Sequence, residues 1–395
     1  MKHILSAAIL ALPLACIAQT EAPSLIITGS INAQLESVGA PGATNTLSAA
    51  DAARVATRSR LNQNGSELRF SGQRAFGNGM EGFFTIGSEV QSFSGANANN
   101  TNTFAVRNTG VGLRGAFGEV ALGRWDSHYH WGPILVDRAY LTSGLAGDSK
   151  ALNSFVNGTV FVGNRFSNTV RYNTPTFAGV TAHVIVSRND GTVTAVPVIG
   201  ELADRSVNLA ITYRSGDLIA FASYFDRDEA SAPLPFAAAA TASAMSQKSR
   251  RAGASYLILP GLTAGVIVDV TSQTHRTAAS SGLGIKRTAW TIPLRYQTGP
   301  HQLAVTLASA ADSTGSLMPA SVVGTNADTG ARFMQFGYQY ALDKATNLQF
   351  TLAKVSNSRN GSYDLSLNAG LGIAGLAATR GADPRTVQIG MRYAF

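Results

Sequence analysis

Long stretches of this sequence alternate apolar and polar residues with a period of two. Val387, Ile389, Met391, Tyr393 and Phe395 share one face, with Thr386, Gln388, Gly390, Arg392 and Ala394 on the other. Leu262, Ala264, Val266, Val268 and Val270 alternate with Thr263, Gly265, Ile267, Asp269 and Thr271. Val207–Arg214, Met334–Tyr340, Leu348–Leu352, Leu303–Leu307, Trp290–Tyr296 and Met80–Val90 keep the same rhythm. Such segments read as strands with one apolar and one polar face. No comparable length shows the three- and four-residue spacing of an amphipathic helix.

Two kinds of connection take turns between these segments. Short ones carry turn residues, as in Phe76-Gly77-Asn78-Gly79, Gly115-Ala116-Phe117-Gly118, Ser215-Gly216-Asp217, Leu259-Pro260-Gly261 and Thr298-Gly299-Pro300. Long polar ones cover residues 40–57, 94–103, 189–205, 226–249, 272–285, 311–330 and 356–384. Counting from Leu25 to Phe395 gives about sixteen strands. Short turns at one end and long loops at the other describe an all-β, transmembrane, antiparallel up-and-down β-barrel. A soluble sandwich also alternates, but it does not pair one short end with one long end. In hydrocarbon every backbone N–H and C=O must be satisfied internally, and a closed barrel achieves this without edge strands. Sixteen strands are too many for side chains to fill, so an aqueous lumen is expected. Tyr172, Tyr213, Tyr296, Tyr338, Tyr340, Tyr393 and Phe395 near strand ends suit interfacial girdles.

Lys2, an apolar run from Ile4 to Ala15, and small residues up to Ala18 form a secretory leader, giving a signal peptide over 1–18 and one barrel domain over 19–395. Two other readings are a lipid-modified Cys16, which Pro13 disfavours, and an anchoring helix, which is too short for the roughly 20 residues a span needs. Removing the leader takes away Lys2 and the only cysteine, and net charge falls from +8 to +7. Charged residues make up 14% of the chain against about 25% in soluble domains, while 45% are hydrophobic, so disorder is excluded. The 40 glycines follow no three-residue period, which excludes a collagen-like fibre.

Strand parity sends Arg69, Arg165, Arg171, Arg214, Arg251, Arg287, Arg295 and Arg392 to the lumen, against the acids Glu67, Glu89 and Asp269. An arginine facing lipid at mid-bilayer would cost about 2–4 kcal/mol. The expectation is an anion-preferring channel; the alternative is that these arginines are structural charges paired with acids. The basic pI of 9.7 does not imply nucleic-acid binding, because the charges alternate into a pore. Five histidines remain after the leader, yet no G-x-S-x-G elbow is present, so no catalysis and no cofactor are expected. His128 and His130 could share a face in an extended segment, but no nearby ligand completes a metal site. Two other functional readings stay open: a substrate-specific channel for phosphate or organic anions, and an adhesive or structural barrel.

Ser66–Gly72, Arg107–Gly115, Phe117–Arg124, Asn168–Gly179 and the terminal Tyr393-Ala394-Phe395 together resemble the general porins of Gram-negative outer membranes. Ser66-Glu67-Leu68-Arg69-Phe70-Ser71-Gly72 is similar to the family's second hairpin. Arg107 through Val111-Gly112-Leu113-Arg114-Gly115, then Phe117 to Arg124, resembles its fourth and fifth strands. Asn168 to Gly179 resembles its sixth strand and following turn. The terminal Tyr393-Ala394-Phe395 is similar to the ending read by the outer-membrane assembly machinery, making Tyr393 and Phe395 the expected assembly signal. The resemblance implies a homotrimer contacting outer-membrane lipid and lipopolysaccharide, passing small hydrophilic solutes and ions. It also implies a third loop, residues 127–163, folded into the pore, with acids facing a row of wall arginines. Arg107 and Arg165 match that row, and Arg69 and Arg171 are added to it. Asp137 and then Asp148 are the choices for the acidic side. The family has arginine where this chain has Glu67, which joins the acidic set, while Arg69 two residues on restores the positive charge. Two features resist the pattern: Arg107 falls in phase with Val111 and Leu113, and Pro293 removes a ladder hydrogen bond.

Overall fold

The computed structural model describes residues 24–63, 65–90, 104–136, 152, 165–188, 205–233, 242–277, 280–316, 328–365, 371–373 and 377–395. The chain opens with β1 (Ser24–Gly39), the short helix α1 (Ala49–Val55), β2 (Arg58–Asn62), β3 (Glu67–Gly77) and β4 (Met80–Glu89). β5 (Thr109–Gly115), β6 (Gly118–Asp126), helix α2 (His128–Val136), β7 (Arg165–Asn173), β8 (Val180–Arg188) and β9 (Arg205–Ser215) follow. Then come β10 (Leu218–Pro233), β11 (Ala242–Leu259), β12 (Leu262–Thr277), β13 (Ser280–Thr298) and β14 (His301–Ala310). β15 (Ala331–Ala341), β16 (Thr346–Asn357) and β17 (Arg385–Ala394) complete it.

Every ladder between described strands is antiparallel, and β17 returns to β1 with Ser30 opposite Ala394 and Gly39 opposite Arg385, closing the ring. β2 and β3 both pair with β1, over Gln34–Val38 and Ser24–Ser30, so the seventeen strands occupy sixteen positions. At the step between them, Ser66 Oγ takes the N–H of Asn32 at 2.9 Å, a ladder bond the backbone no longer supplies. No described helix is long and apolar enough to cross a membrane.

Inward and outward faces follow the sequence alternation. On β12, Thr263, Ile267, Asp269, Thr271 and Gln273 are buried while Val266 and Val268 are exposed. Among several irregularities in the described ladders, two near the lumenal arginines and one proline bear on this alternation. Gly87 donates to the Asn108 carbonyl at 3.0 Å and accepts from Arg107 N–H at 2.9 Å, so two residues oppose one. This bulge takes Arg107 out of phase with Val111 and Leu113. A second register shift lies between Gly123 and Trp125, where Gly123 has φ 139. A Cβ there would meet the Thr109 carbonyl oxygen at 2.3 Å, so only glycine fits. Pro293 sits opposite Thr306 in an unbroken ladder to β14, whereas the ladder to β12 skips from Ala264–Leu294 to Ile267–Thr291. The missing N–H faces that gap, and the register is the same on both sides of it.

The long connections differ from expectation in two ways. Residues 226–249 and 272–285 are largely strand, because the ladders of β10–β13 continue beyond the apolar band, where both faces are polar and alternation gives no signal. The last connection is not wholly external. Tyr363, Leu365, Leu371 and Ile373 are buried against the inward residues Ala308, Ala310, Ala331, Phe333, Ala353 and Val355. Leu152, from the stretch expected to be the third loop, joins the same cluster. The β14–β16 side of the lumen therefore holds an apolar core at its loop end.

The outward face is asymmetric from end to end. At the turn side it ends on exposed Tyr213, Tyr256, Tyr296 and Tyr393. At the loop side exposed basic residues stand above the apolar band: Arg188 and Arg205, then Arg250, Lys286, Arg332, Lys354 and Arg385.

Candidate pore constriction

On the wall from β3 to β8, lumenal arginines are paired with acids of the same wall. Arg69 pairs with Glu67, and Arg114 with Glu81, its cross-strand neighbour. Arg171 pairs with Glu119 and lies 3.9 Å over the Trp125 ring. Arg107 reaches Glu89 at 3.4 Å. Arg165 meets Asp126 at 2.8 Å and also donates to Asn108 Oδ1 and the Val106 carbonyl, each at 3.3 Å. Arg124 donates to that carbonyl at 3.0 Å. The segment Val106–Asn108, thrown inward by its bulge, thus collects Arg107, Arg124 and Arg165. Arg69 and Arg171 belong to the wall but pair separately, and Glu67 faces its own Arg69 rather than a loop. Asp137 and Asp148 lie outside the described residues.

α2 holds the opposite side. It enters the barrel directly after Asp126 and packs on β9–β12. Pro133 within it has no N–H, which frees the carbonyl four residues earlier. That carbonyl, of Tyr129, accepts Arg251 Nη1 at 2.6 Å, while the Tyr129 N–H donates to Asn208 Oδ1 at 3.0 Å. The Tyr129 hydroxyl donates to Asp269. Asp269 also accepts Arg251 Nε at 2.9 Å, Arg287 Nη1 at 2.7 Å and Thr271 Oγ1 at 3.0 Å. All three charged side chains here are fully buried. Parity places Arg251, Arg287 and Asp269 inward; α2 then covers them, so they fasten the helix and do not face permeating ions.

α2 also turns its two histidines apart, so they do not share the face an extended segment would give. His128 stacks on His183 with ring centroids 4.8 Å apart, and His130 lies 3.7 Å from Asp126. Among the described residues no three His, Cys, Asp or Glu side chains gather around one point. Burial, with His183 and Arg251 nearby, pushes the His128 imidazole down to about 3. The unfolded chain, with an ordinary histidine near 6.5, therefore binds more protons between pH 6.5 and 3. Stability attributable to this group is full above pH 6.5 and is lost as pH falls through that window. Replacing His128→Phe is expected to flatten the acid-side fall in thermal midpoint; an unchanged slope would place the acid sensitivity elsewhere.

Sequence reasoning left Asp126, Arg124, Arg114 and Glu119 outside the site. Arg114 and Glu119 stand opposite each other across the turn at Ala116-Phe117, so their register is readable from the hairpin, whereas their ion pairs reach other strands, to Glu81 and Arg171. That of Asp126 and Arg124 is not, because both flank the shift at Gly123.

A profile of Gram-negative porins matches residues 5–360. The major outer membrane protein P.IB of Neisseria meningitidis serogroup B is 28% identical over 218 residues, 54% of this chain and 56% of that protein. The match thus spans about half the length of the curated relative. Among solved structures, an anion-selective porin from Comamonas acidovorans superposes with TM-score 0.71 at 21% identity, covering 95% of this chain and all of that one. OmpT of Vibrio cholerae gives 0.65 at 12% identity over 96% of this chain and all of that one. Salmonella typhi OmpF gives 0.54 at 14% identity, over 94% of this chain and 97% of that one. At these identities the structures establish a shared barrel.

Proposed function

This chain belongs to the Gram-negative porin family and is an outer-membrane β-barrel, and from that premise we propose that it is a trimeric diffusion channel preferring anions. The observation that carries the reading is the closed sixteen-position barrel whose polar inner wall holds more arginines than acids, with α2 fastened across its inside. Arg214 and Arg392 face the lumen and make no ion pair with a described residue, while Arg251 and Arg287 share one carboxylate. The pairs on the β3–β8 wall nearly cancel, so the preference comes from this surplus. The anion selectivity of the Comamonas acidovorans porin agrees with that sign. Arg107 and Arg165 form the basic side of the constriction, and the part of the third loop carrying Asp137 and Asp148 its acidic side. Residues 1–18 are the export leader, and Tyr393 and Phe395 the signal for barrel assembly. Phe395 exchanges hydrogen bonds with Gly29 at 2.8 and 3.0 Å, so the same residue seals the seam.

The test is current across a planar bilayer with a tenfold KCl gradient. Steps in threes with an anion-favouring reversal potential are expected; a cation-favouring potential would overturn the selectivity, and absence of steps in folded protein the channel itself.

The last loop narrows the same path. Asp364 accepts the N–H groups of Leu365 at 2.7 Å, Leu371 at 2.8 Å and Ile373 at 3.1 Å inside the apolar cluster. Removing the carboxylate leaves three buried donors unmet, at about 1–3 kcal/mol each. Asp364→Ala is expected to unseat the loop and raise single-channel conductance, with folding intact by gel mobility. Conductance equal to wild type would mean that this loop does not limit flow.

A further inference from the structure

Four small residues fall in one lateral row across the lumenal wall. Ser71 stands opposite Thr85, Thr85 opposite Gly110 and Gly110 opposite Gly123, from β3 to β6. A hollow of about 300 Å³ opens beside this row, between Val106–Asn108 and the turn-side mouth. Arg69 borders it on the loop side, and Gln73, Phe83 and Arg114 on the turn side. Its aromatic rings lie down against bare backbone. A Cβ on Gly112 would meet Phe83 Cζ at 2.5 Å, and one on Gly110 would meet Trp125 Cζ2 at 3.0 Å. Arg114 lies 5.3 Å over the Phe83 ring and Arg171 3.9 Å over that of Trp125. Cζ2 shares its edge of the indole with Nε1, so the ring N–H edge faces the small row. Trp125 is only 3% exposed, and neither its Nε1 nor the buried Thr85 Oγ1 has a hydrogen-bond partner among the described residues. Register thus brings two unmet polar atoms to the same bare glycine, Gly110.

From this we infer that the hollow is a binding subsite for an aromatic monocarboxylate, its carboxylate on Trp125 Nε1, Thr85 Oγ1 and the Arg69 guanidinium, and its ring against Phe83. The inference rests on the channel reading given above and names a class of organic anion held on the way through. Three observations choose the occupant. The unmet indole N–H and the guanidinium can only donate, and a hydroxyl can, so the group they receive must be an acceptor. Glu67 and Glu81, the partners of Arg69 and Arg114, do not line the hollow. Each guanidinium carries five N–H donors, so those pairings leave others for a ligand, and charge-assisted bonds to a carboxylate are the strong kind. An inorganic anion would answer the donors but leave the Phe83 face wet. A flat ring joined to the carboxylate covers that face in an offset or edge contact and removes its apolar surface from water.

The test titrates sodium benzoate into the detergent-folded full-length protein by isothermal calorimetry, with cyclohexanecarboxylate, acetate and inorganic phosphate as comparisons. Benzoate is expected to bind saturably, and the other three at least about threefold more weakly, the margin a single aromatic pair supplies. Thr85→Val keeps the shape and removes the hydroxyl, and should weaken benzoate at least about tenfold, as for other hydrogen bonds to a charged group. Phe83→Leu should leave benzoate no tighter than cyclohexanecarboxylate, a readout that general loosening of the wall would not move. Heat-modifiable gel mobility checks that each variant is folded, and the comparison of the four anions on wild type stands without either variant. Acetate or phosphate binding as tightly as benzoate would make this a plain anion site and overturn the inference. Benzoate affinity unchanged in both folded variants overturns it too. Current steps in KCl decide the channel reading separately. Saturable benzoate binding without steps would sink the channel alone, and steps without saturable binding would sink the subsite alone.

Discussion

Asp269→Ala is expected to lower the stability of the folded barrel by roughly 3–5 kcal/mol, the effect of stripping one partner from a buried ion pair. Asp269 is the shared acceptor for Arg251, Arg287, Thr271 and Tyr129, and none of the three charged side chains reaches solvent. With alanine there, two guanidinium groups remain inside the wall without their carboxylate. Their alternatives are to drag α2 aside and admit water, or to stay and bear the desolvation. Tyr129→Phe removes a single hydrogen bond while keeping the ring under Arg251, so its effect should be about 1–2 kcal/mol. Asp269→Asn keeps the shape and loses the charge, and should resemble alanine more than wild type. Denaturant midpoints of the detergent-folded protein, read by heat-modifiable gel mobility, order the three variants. If the alanine midpoint matches wild type, the cluster does not hold the helix. Because α2 lies in the lumen, the same variant should show noisier open-channel current, a readout that general destabilisation of the strands would not supply.

That cluster also shows where the sequence stops being informative. Arg251, Asp269 and Arg287 are assigned to the inward face by parity alone, and the structure places them there. Parity says nothing about their company. Their meeting depends on register across β11–β13, with Arg251 opposite Asp269 and Arg287 opposite Thr271, and on coverage by a helix nine residues long. The barrel was legible because a lipid boundary imposes one rule on every strand: apolar outward, with the period fixed at two. Bulges at Arg107 and Gly123 escape that rule, since one extra residue reverses the phase without any change in composition. Strand beyond the bilayer escapes it as well, as in Arg276 and Lys286, where water on both sides removes the contrast. Tyr363, Leu365, Leu371 and Ile373 are spread among polar and small residues, so no periodicity marks the core they build inside the lumen.

Neutralising Arg107 and Arg165 together is expected to shift the reversal potential several-fold toward cations in permeability ratio, because charges in a low-dielectric pore produce potentials of several kT. What each arginine leaves behind sets the size of the shift. Arg107 faces Glu89 and Arg165 faces Asp126, so their removal as glutamines exposes two carboxylates around Val106–Asn108 in addition to cancelling two positive charges. Arg214→Gln with Arg392→Gln removes the same formal charge but exposes no carboxylate. If Val106–Asn108 lies at the narrow section, the first pair must exceed the second despite equal charge change. Ionic strength provides an independent check. The Debye length shrinks from about 10 Å at 0.1 M to about 3 Å at 1 M, so a shift from wall charges should fade at high salt while one from altered pore width would persist. Glu89→Gln should act in the opposite sense, freeing Arg107 and strengthening the anion preference. A larger shift from Arg214 and Arg392 would relocate the selective section to the turn side of the lumen, where the surplus arginines stand without partners among the described residues.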